Sequence, residues 1–200
     1  MSYPWYSIRT VEDSAQFSQG EILECKVPVT LPGSNPPYFQ VKVGKIKGII
    51  MTQACDLENA KVKVPEVTIC PLTPAEAILQ DFMMDKYKDK QGFDYQNLSR
   101  KEQESKYNYA NKLRQGNILD YHLLNSFHSE DHPNLDMDLQ VVTLRHVYRI
   151  PVESLRSQLI DNPTERLTLL PPYREHLANA FTVNFSRIGL PTDIEISRDI

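Results

Sequence analysis

Within Leu23–Val29 and Phe39–Val43 apolar side chains recur at every second position, and from Thr73 that period gives way to one of three to four. A chain that changes period in this way has to combine a sheet with helices. Leu23, Cys25, Val27 and Val29 alternate with Glu24, Lys26 and Pro28, which predicts a half-buried strand. Pro28 cannot donate to a ladder, so this strand lies at an edge or ends there. Leu31-Pro-Gly-Ser-Asn-Pro-Pro37 turns the chain, and Phe39, Val41 and Val43 alternate with Gln40 and Lys42 in a second strand. Ile49 to Thr52 and Val67 to Leu72 predict a third and a fourth. Short strands separated by turns predict a small barrel or a strongly bent sheet.

Thr73-Pro-Ala-Glu76 supplies an N-cap, a proline at the first helical position and a glutamate three residues after the cap. Ile78, Leu79, Phe82 and Met83 give that helix one apolar face before it ends near Gly92. Ser99 and Glu102 repeat the capping box and predict a second helix to Gly116, polar except at Tyr107, Ala110 and Leu113. Residues 74–127 therefore read as a helical insertion between strands. Strand character returns over 137–150, clearest from Leu139 to Val147, and Pro151-Val-Glu-Ser-Leu-Arg opens a short helix. Over residues 172–188 Leu177, Phe181 and Phe185 line up at four-residue intervals, an apolar helix face that docks on the chain's own sheet or on a partner. The expectation is one α+β domain spanning residues 1–200, with barrel strands over 20–73 and 137–150 and a C-terminal amphipathic helix.

At 200 residues the chain is long enough for one fair-sized core and short for two. No apolar run approaches the roughly 18 residues of a membrane span, and Met-Ser-Tyr-Pro-Trp-Tyr at the start is not a basic segment leading into an apolar one. Together with three cysteines, which cannot all pair with one another, this points to a cytoplasmic protein with free thiols and no membrane association. A net charge of −4 argues against a generic nucleic-acid coat. Lys42, Lys45 and Lys47, and again Lys86, Lys88 and Lys90, form local basic runs of the kind that usually mark a solvated face.

Reactive residue types concentrate where Ile49 to Met51 runs into Thr52, Gln53, Cys55 and Asp56, putting a hydroxyl, an amide, a thiol and a carboxylate at the end of one strand. Cys55 becomes a nucleophile only if a cation, a helix N-terminus or a histidine lowers its pKa, and the adjacent Asp56 opposes that. The base would have to come from His122, His128, His132, His146 or His176. The bland reading has Cys55 packing as a small apolar residue while Asp56 caps the turn. His128, His132, Asp136 and Asp138 collect metal-ligand types, but Pro133 and Asn134 place them on a loop where the spacing fixes no geometry. Cys55 and Cys70 lie in no Cys-x-x-Cys pair, and no glycine-rich phosphate or dinucleotide loop is present, so neither metal nor cofactor is expected. Arg174, His176 and Arg187 are candidate binding residues for a phosphate or a partner's carboxylate, with Gln53 a further candidate at the strand end; otherwise the helical residues form a solvated face.

Gln19-Gly-Glu-Ile22, Lys47-Gly-Ile-Ile-Met-Thr52 and Val67-Thr-Ile-Cys-Pro-Leu-Thr73, in that order, resemble the SH3-like barrel of PemK/MazF-type toxins over about the first 75 residues. That resemblance implies an RNA-cleaving site in which an arginine before the central strand and a Ser or Thr at its end do the chemistry. The matching positions are Lys47 and Thr52, and lysine lacks the planar fork of arginine. Thr52-Gln-Ala-Cys-Asp-Leu57 and Leu170-Pro-Pro-Tyr-Arg-Glu-His-Leu177 also resemble bacterial proteins of mobile elements and phage defence, which implies a cytoplasmic accessory protein that meets a partner protein or nucleic acid. The leading expectation is a non-catalytic binding module. The alternatives are a toxin-type endoribonuclease using Lys47 and Thr52, with Asp56 or a histidine moving the proton, and a hydrolase or transferase built on Cys55.

Overall fold

The computed structural model describes residues 4–33, 38–57 and 64–186, so Arg187 lies outside the described residues. In chain order they form β1 (Tyr6–Arg9), β2 (Ile22–Pro32), β3 (Phe39–Ile50), the one-turn α1 (Ala54–Leu57), β4 (Glu66–Pro74), α2 (Ala75–Lys86), α3 (Arg100–Arg114), β5 (Tyr121–Leu124), β6 (Gln140–Thr143), β7 (Tyr148–Pro151), α4 (Val152–Asp161), β8 (Arg166–Leu169) and α5 (Tyr173–Phe185). The fold is α+β with antiparallel pairing throughout: β2-β3-β4-β6-β5 is one sheet with β7 also on β4, and β1 pairs β8. No described helix is long and apolar enough to cross a membrane.

The period of two sorts the central strands into two cores. Ile22, Ile49, Met51, Cys70 and Leu72 face one way and pack with Leu167, Leu169 and Leu177. Leu23, Cys25, Val27, Ile50, Val67 and Ile69 face the other way and pack with Leu155 and Leu159 of α4. Fully buried leucines such as Leu155, Leu169 and Leu177 each stabilise the fold by about 1.5–3 kcal/mol. A third, smaller cluster joins Ala75, Ile78, Leu113 and Val141, and Phe82 stacks on Tyr109 with 3.7 Å between ring centres to hold α2 on α3. On α5, Leu177 is buried and Phe181 packs on the first core, whereas Phe185 stays exposed, so this helix docks on its own chain.

Several expectations change. The second and third strands are one strand, β3, because Gly44 and Gly48 do not break it. A Cβ at Gly48 would stand 2.6 Å from Ile69 Cγ2 and 3.0 Å from the Cys70 carbonyl oxygen, so glycine there permits β3 and β4 to approach. Thr73 remains in β4 and Pro74 takes the N-cap of α2, with no side-chain cap bond, while Ser99 and Glu102 do form the expected capping box on α3. β5 lies within the span expected to be helical. The strand stretch expected over 137–150 holds two, β6 and β7, placed end to end along β4 opposite Leu72–Pro74 and Glu66–Ile69. Strands β1 and β8 were not expected. Pro28 sits inside β2, at the edge, opposite Val43. Toward its turn the β2–β3 ribbon leaves Phe39, Val41 and Val43 exposed, so the apolar side of that alternation is not a core side.

The expected barrel is not closed. β2 pairs β3 along one edge, and its other edge meets β8 at a single bridge, Glu21 to Thr168, supported by the Leu169 N–H donating to the Gly20 carbonyl at 2.9 Å. Gly20 makes that contact at φ +81°, where a Cβ would also press on Leu169 and Arg174. Glu21 is fully buried and fixes this junction. It accepts from Arg9 Nε at 2.8 Å, from the Ser18 N–H at 3.1 Å and from Arg166 Nε, and the Arg166 Nη2 group donates to the Gln16 carbonyl at 2.7 Å. The Arg166 Nη1 group is buried without a hydrogen-bond partner.

Candidate functional site

The last residues of β3 and the turn that follows carry two sets of candidate residues on opposite phases of the chain, and they differ in kind. At the C-terminal end the Met51 N–H donates to the Thr68 carbonyl at 2.8 Å, and the Thr52 hydroxyl accepts the Thr68 N–H at 2.7 Å. That bond extends the β3–β4 ladder by one rung through a side chain, which is why an apolar strand ends on threonine here. Buried Leu57 anchors α1, leaving Cys55 exposed on its outer side. This corrects the expectation that Cys55 packs in the core; Cys25 and Cys70 are the buried cysteines, and burial pushes both thiols up to about 12. The polar neighbours of Cys55 Sγ are Gln53 Oε1 at 3.6 Å and Asp56 Oδ1 at 3.8 Å, an amide and a carboxylate. Neither favours a thiolate. The Asp56 N–H donates to the Gln53 carbonyl at 3.0 Å, so a backbone bond closes the turn, and among the described residues the Asp56 carboxylate accepts no backbone N–H.

Lys47 lies at the other end of the same run. Alternation along β3 places it on the face of Ile49 and Met51, whereas Thr52 follows Ile50 on the opposite phase, so the pair named by the toxin resemblance does not converge on one face. Lys47 is half-buried; burial lowers its pKa, and Glu24, opposite it on β2, works against that.

Lys47 lines an open cavity of about 650 Å³ between β2 and the stretch that leaves α4 and enters β8. One wall is Ile22 to Lys26 with Lys45 and Lys47 behind it; the other is Gln158 to Asn162 and Thr164 to Leu167, with Asn134 and Leu135 at one side. Lys45 pairs with Glu24 at 2.5 Å, and Glu165 is held by His132 Nδ1 at 3.0 Å and Asn134 Nδ2 at 3.3 Å. Those two contacts hold the Glu165 carboxyl below its ordinary range. Lys26 has no ion pair among the described residues, so the β2–β3 wall is the more basic one. Ile22, Leu135 and Leu167 belong to one core and Leu23, Cys25 and Leu159 to the other, which places the cavity in the seam between the two.

The remaining candidates do not join this cavity. Arg174 pairs with its neighbour Glu175 at 2.9 Å on α5. His176 faces His122 electrostatically, and burial together with that neighbour lowers His122 to about 4. His128 approaches Asp136 at 3.8 Å and Asp138 at 3.9 Å on an exposed loop, and no group of three His, Cys, Asp or Glu residues able to hold a metal ion occurs among the described residues. Sequence reasoning missed Glu24, Gln158 and Glu165. The alternation of β2 did mark Glu24 as outward-facing, but no local pattern shows which distant residues close the other wall. No protein-family model, curated protein or solved structure matches the chain.

Proposed function

We propose that the chain is a non-catalytic α+β binding module that works with a protein partner, as an accessory component of a bacterial defence or mobile-element system in the cytoplasm. The observation that carries this reading is the separation of the reactive residues: the Thr52 hydroxyl is engaged by the Thr68 N–H, Lys47 is on the opposite phase of β3, and Cys55 has only an amide and a carboxylate beside its sulfur. Catalysis by any of them needs a partner group in hydrogen-bond reach. An open cavity lined by both cores, by contrast, suits recognition. The test is purification of the chain, expressed at native level, from the bacterium that encodes it, followed by measurement of its mass in solution. A stoichiometric complex with one protein is the expected result; a strict monomer free of protein and nucleic acid overturns the reading.

One observation favours the second reading, an endoribonuclease of the toxin type. Lys47 and Lys26 give the cavity a cationic wall that suits phosphate. Incubation with single-stranded RNA of mixed sequence tests it, with Lys47→Ala and Thr52→Ala as controls. Cleavage lost in both variants replaces the binding-module reading, and RNA left intact from acid to alkaline pH removes this one.

A further inference from the structure

Over Phe39–Lys45 β3 pairs β2 alone, and its outer edge has no hydrogen-bond partner among the described residues. The phases say which groups lie on that edge. The Ile50 N–H donates to the Glu21 carbonyl on the β2 side, whereas the Met51 N–H, next in the chain, donates to the Thr68 carbonyl of β4. Even-numbered residues of β3 therefore bond β2, and odd-numbered ones face outward. Phe39, Val41, Val43 and Lys45 present a row of free N–H and C=O groups about 20 Å long at roughly 3.3 Å per residue. Their side chains share one face of the ribbon, with Phe39 66%, Val41 59% and Val43 75% exposed. The ribbon's other edge is built differently. Gln158 of α4 bonds both the N–H and the carbonyl of Lys26, which fixes the outward phase of β2, and Pro28 and Pro32 fall on that phase, where they remove donors. No proline interrupts the β3 row, and Lys45, its one charge, is already paired with Glu24 at 2.5 Å.

We infer that this row is a homodimer interface, in which β3 pairs antiparallel with β3 of a second copy about a two-fold axis at Val41. In that register the strand is complementary to itself. Val41 meets its own copy and Phe39 meets Val43 twice, an aromatic ring on a β-branched side chain, so the exposed apolar residues of both copies join in one cluster. On the opposite face Gln40 meets Lys42 twice, an amide against an ammonium. Moving the axis to Lys42 sets the two Lys42 ammoniums directly opposite each other, and moving it to Gln40 leaves Val43 without an apolar partner. The pairing also closes on itself. Once the two β3 edges are joined, the combined ribbons end on either side at β2, where Pro28, Pro32 and the Gln158 clamp on Lys26 oppose further addition, so assembly stops at two copies. From Val27 to Pro32 and from Phe39 to Gly44 Lys42 is the only charged residue, too little for a phosphate backbone to hold.

The full chain expressed alone tests this interface, whereas the native-level purification tests the separate reading of a protein partner. Light scattering and sedimentation over a range of concentrations should show a monomer–dimer equilibrium. Amide exchange locates the edge without any variant: the Val41 and Val43 N–H groups slow as the concentration rises, while Lys42, whose N–H faces β2, does not respond. Val41→Pro removes an outward donor and no rung between β2 and β3, and is expected to weaken the dimer about tenfold or more. Gln40→Lys sets like charges opposite each other at two places and weakens the dimer; Gln40→Glu sets carboxylate against ammonium and tightens it. A monomer at every soluble concentration, an assembly larger than two, or a dimer that Val41→Pro leaves as tight and whose Val41 and Val43 amides exchange as in the monomer overturns the interface. A dimer indifferent to both Gln40 variants overturns the register, and the two-fold axis at Val41 falls with it.

Discussion

Lys47 within β3 and the stretch Thr52 to Asp56 just past its end are close in sequence and behave oppositely in the fold. Thr52 to Asp56 gathers a hydroxyl, an amide, a thiol and a carboxylate into one short stretch, yet its strongest bonds are internal, from the Thr68 N–H to Thr52 and from the Asp56 N–H to Gln53. Lys47 stands in an unremarkable run of lysines, yet it borders a cavity whose opposite wall comes from residues more than a hundred positions away. Density of reactive residue types along a chain measures composition. Openness measures whether separate elements leave groups unpaired, and only the second makes a site.

The sharpest way to break this comparison is at the junction that holds the cavity in shape. Glu21→Gln leaves buried Arg166 and partly buried Arg9 without their counter-charge, and a loss of roughly 3–5 kcal/mol in denaturant unfolding is expected. A change below 1 kcal/mol would mean that the junction does not depend on the ion pairs, a threshold set at about the worth of an exposed pair. Gly48→Ala comes next. Its Cβ meets Ile69 and the Cys70 carbonyl, and separation of β3 from β4 is expected to cost about 1–3 kcal/mol by the same measurement.

How much of this was legible in the chain differs between the same two regions. Leu23 to Val29 announced a half-buried strand because both its faces are used, one by a core and one by water, and the capping box at Ser99 and Glu102 needs only local bonds to form. Phe39, Val41 and Val43 carry the same alternation, but period alone does not say whether anything covers the apolar side, and there nothing among the described residues does. Cys55 drew attention by type and lies exposed, because Leu57 is the residue that anchors α1. Glu21 stood inside a recognisable motif, while the arginines that explain it are 12 and 145 positions away. Long-range pairing of this kind has no local signature.

Smaller effects sharpen the contrast. Thr52→Val removes the acceptor of the Thr68 N–H, and a loss of about 1 kcal/mol in denaturant unfolding is expected. No loss at all would mean that β3 and β4 do not need this side-chain rung. Alkylation of Cys55 should outpace that of Cys25 and Cys70 through exposure alone, at the rate of a free cysteine in an unfolded chain; a much faster rate would restore the thiol nucleophile. The last effect is silent at neutral pH and shows only in acid. His122 titrates near 4 in the folded chain against an ordinary 6.5, so its neutral form is the folded one. The stability it supports is complete above 6.5 and falls away as the pH drops toward 4, and His122→Gln should flatten unfolding midpoints in that window. An unaltered profile would mean that another group carries the dependence.

The comparison itself rests on which backbone groups are paired, and residue-resolved amide hydrogen exchange in the free chain reads that directly. Glu24, whose N–H points into the cavity, should exchange about a hundredfold faster than Leu23 and Cys25, which face β3, while Thr68 stays protected by Thr52. Protection of Glu24 equal to that of its two neighbours would mean that the edge is already paired, and the open site would be lost.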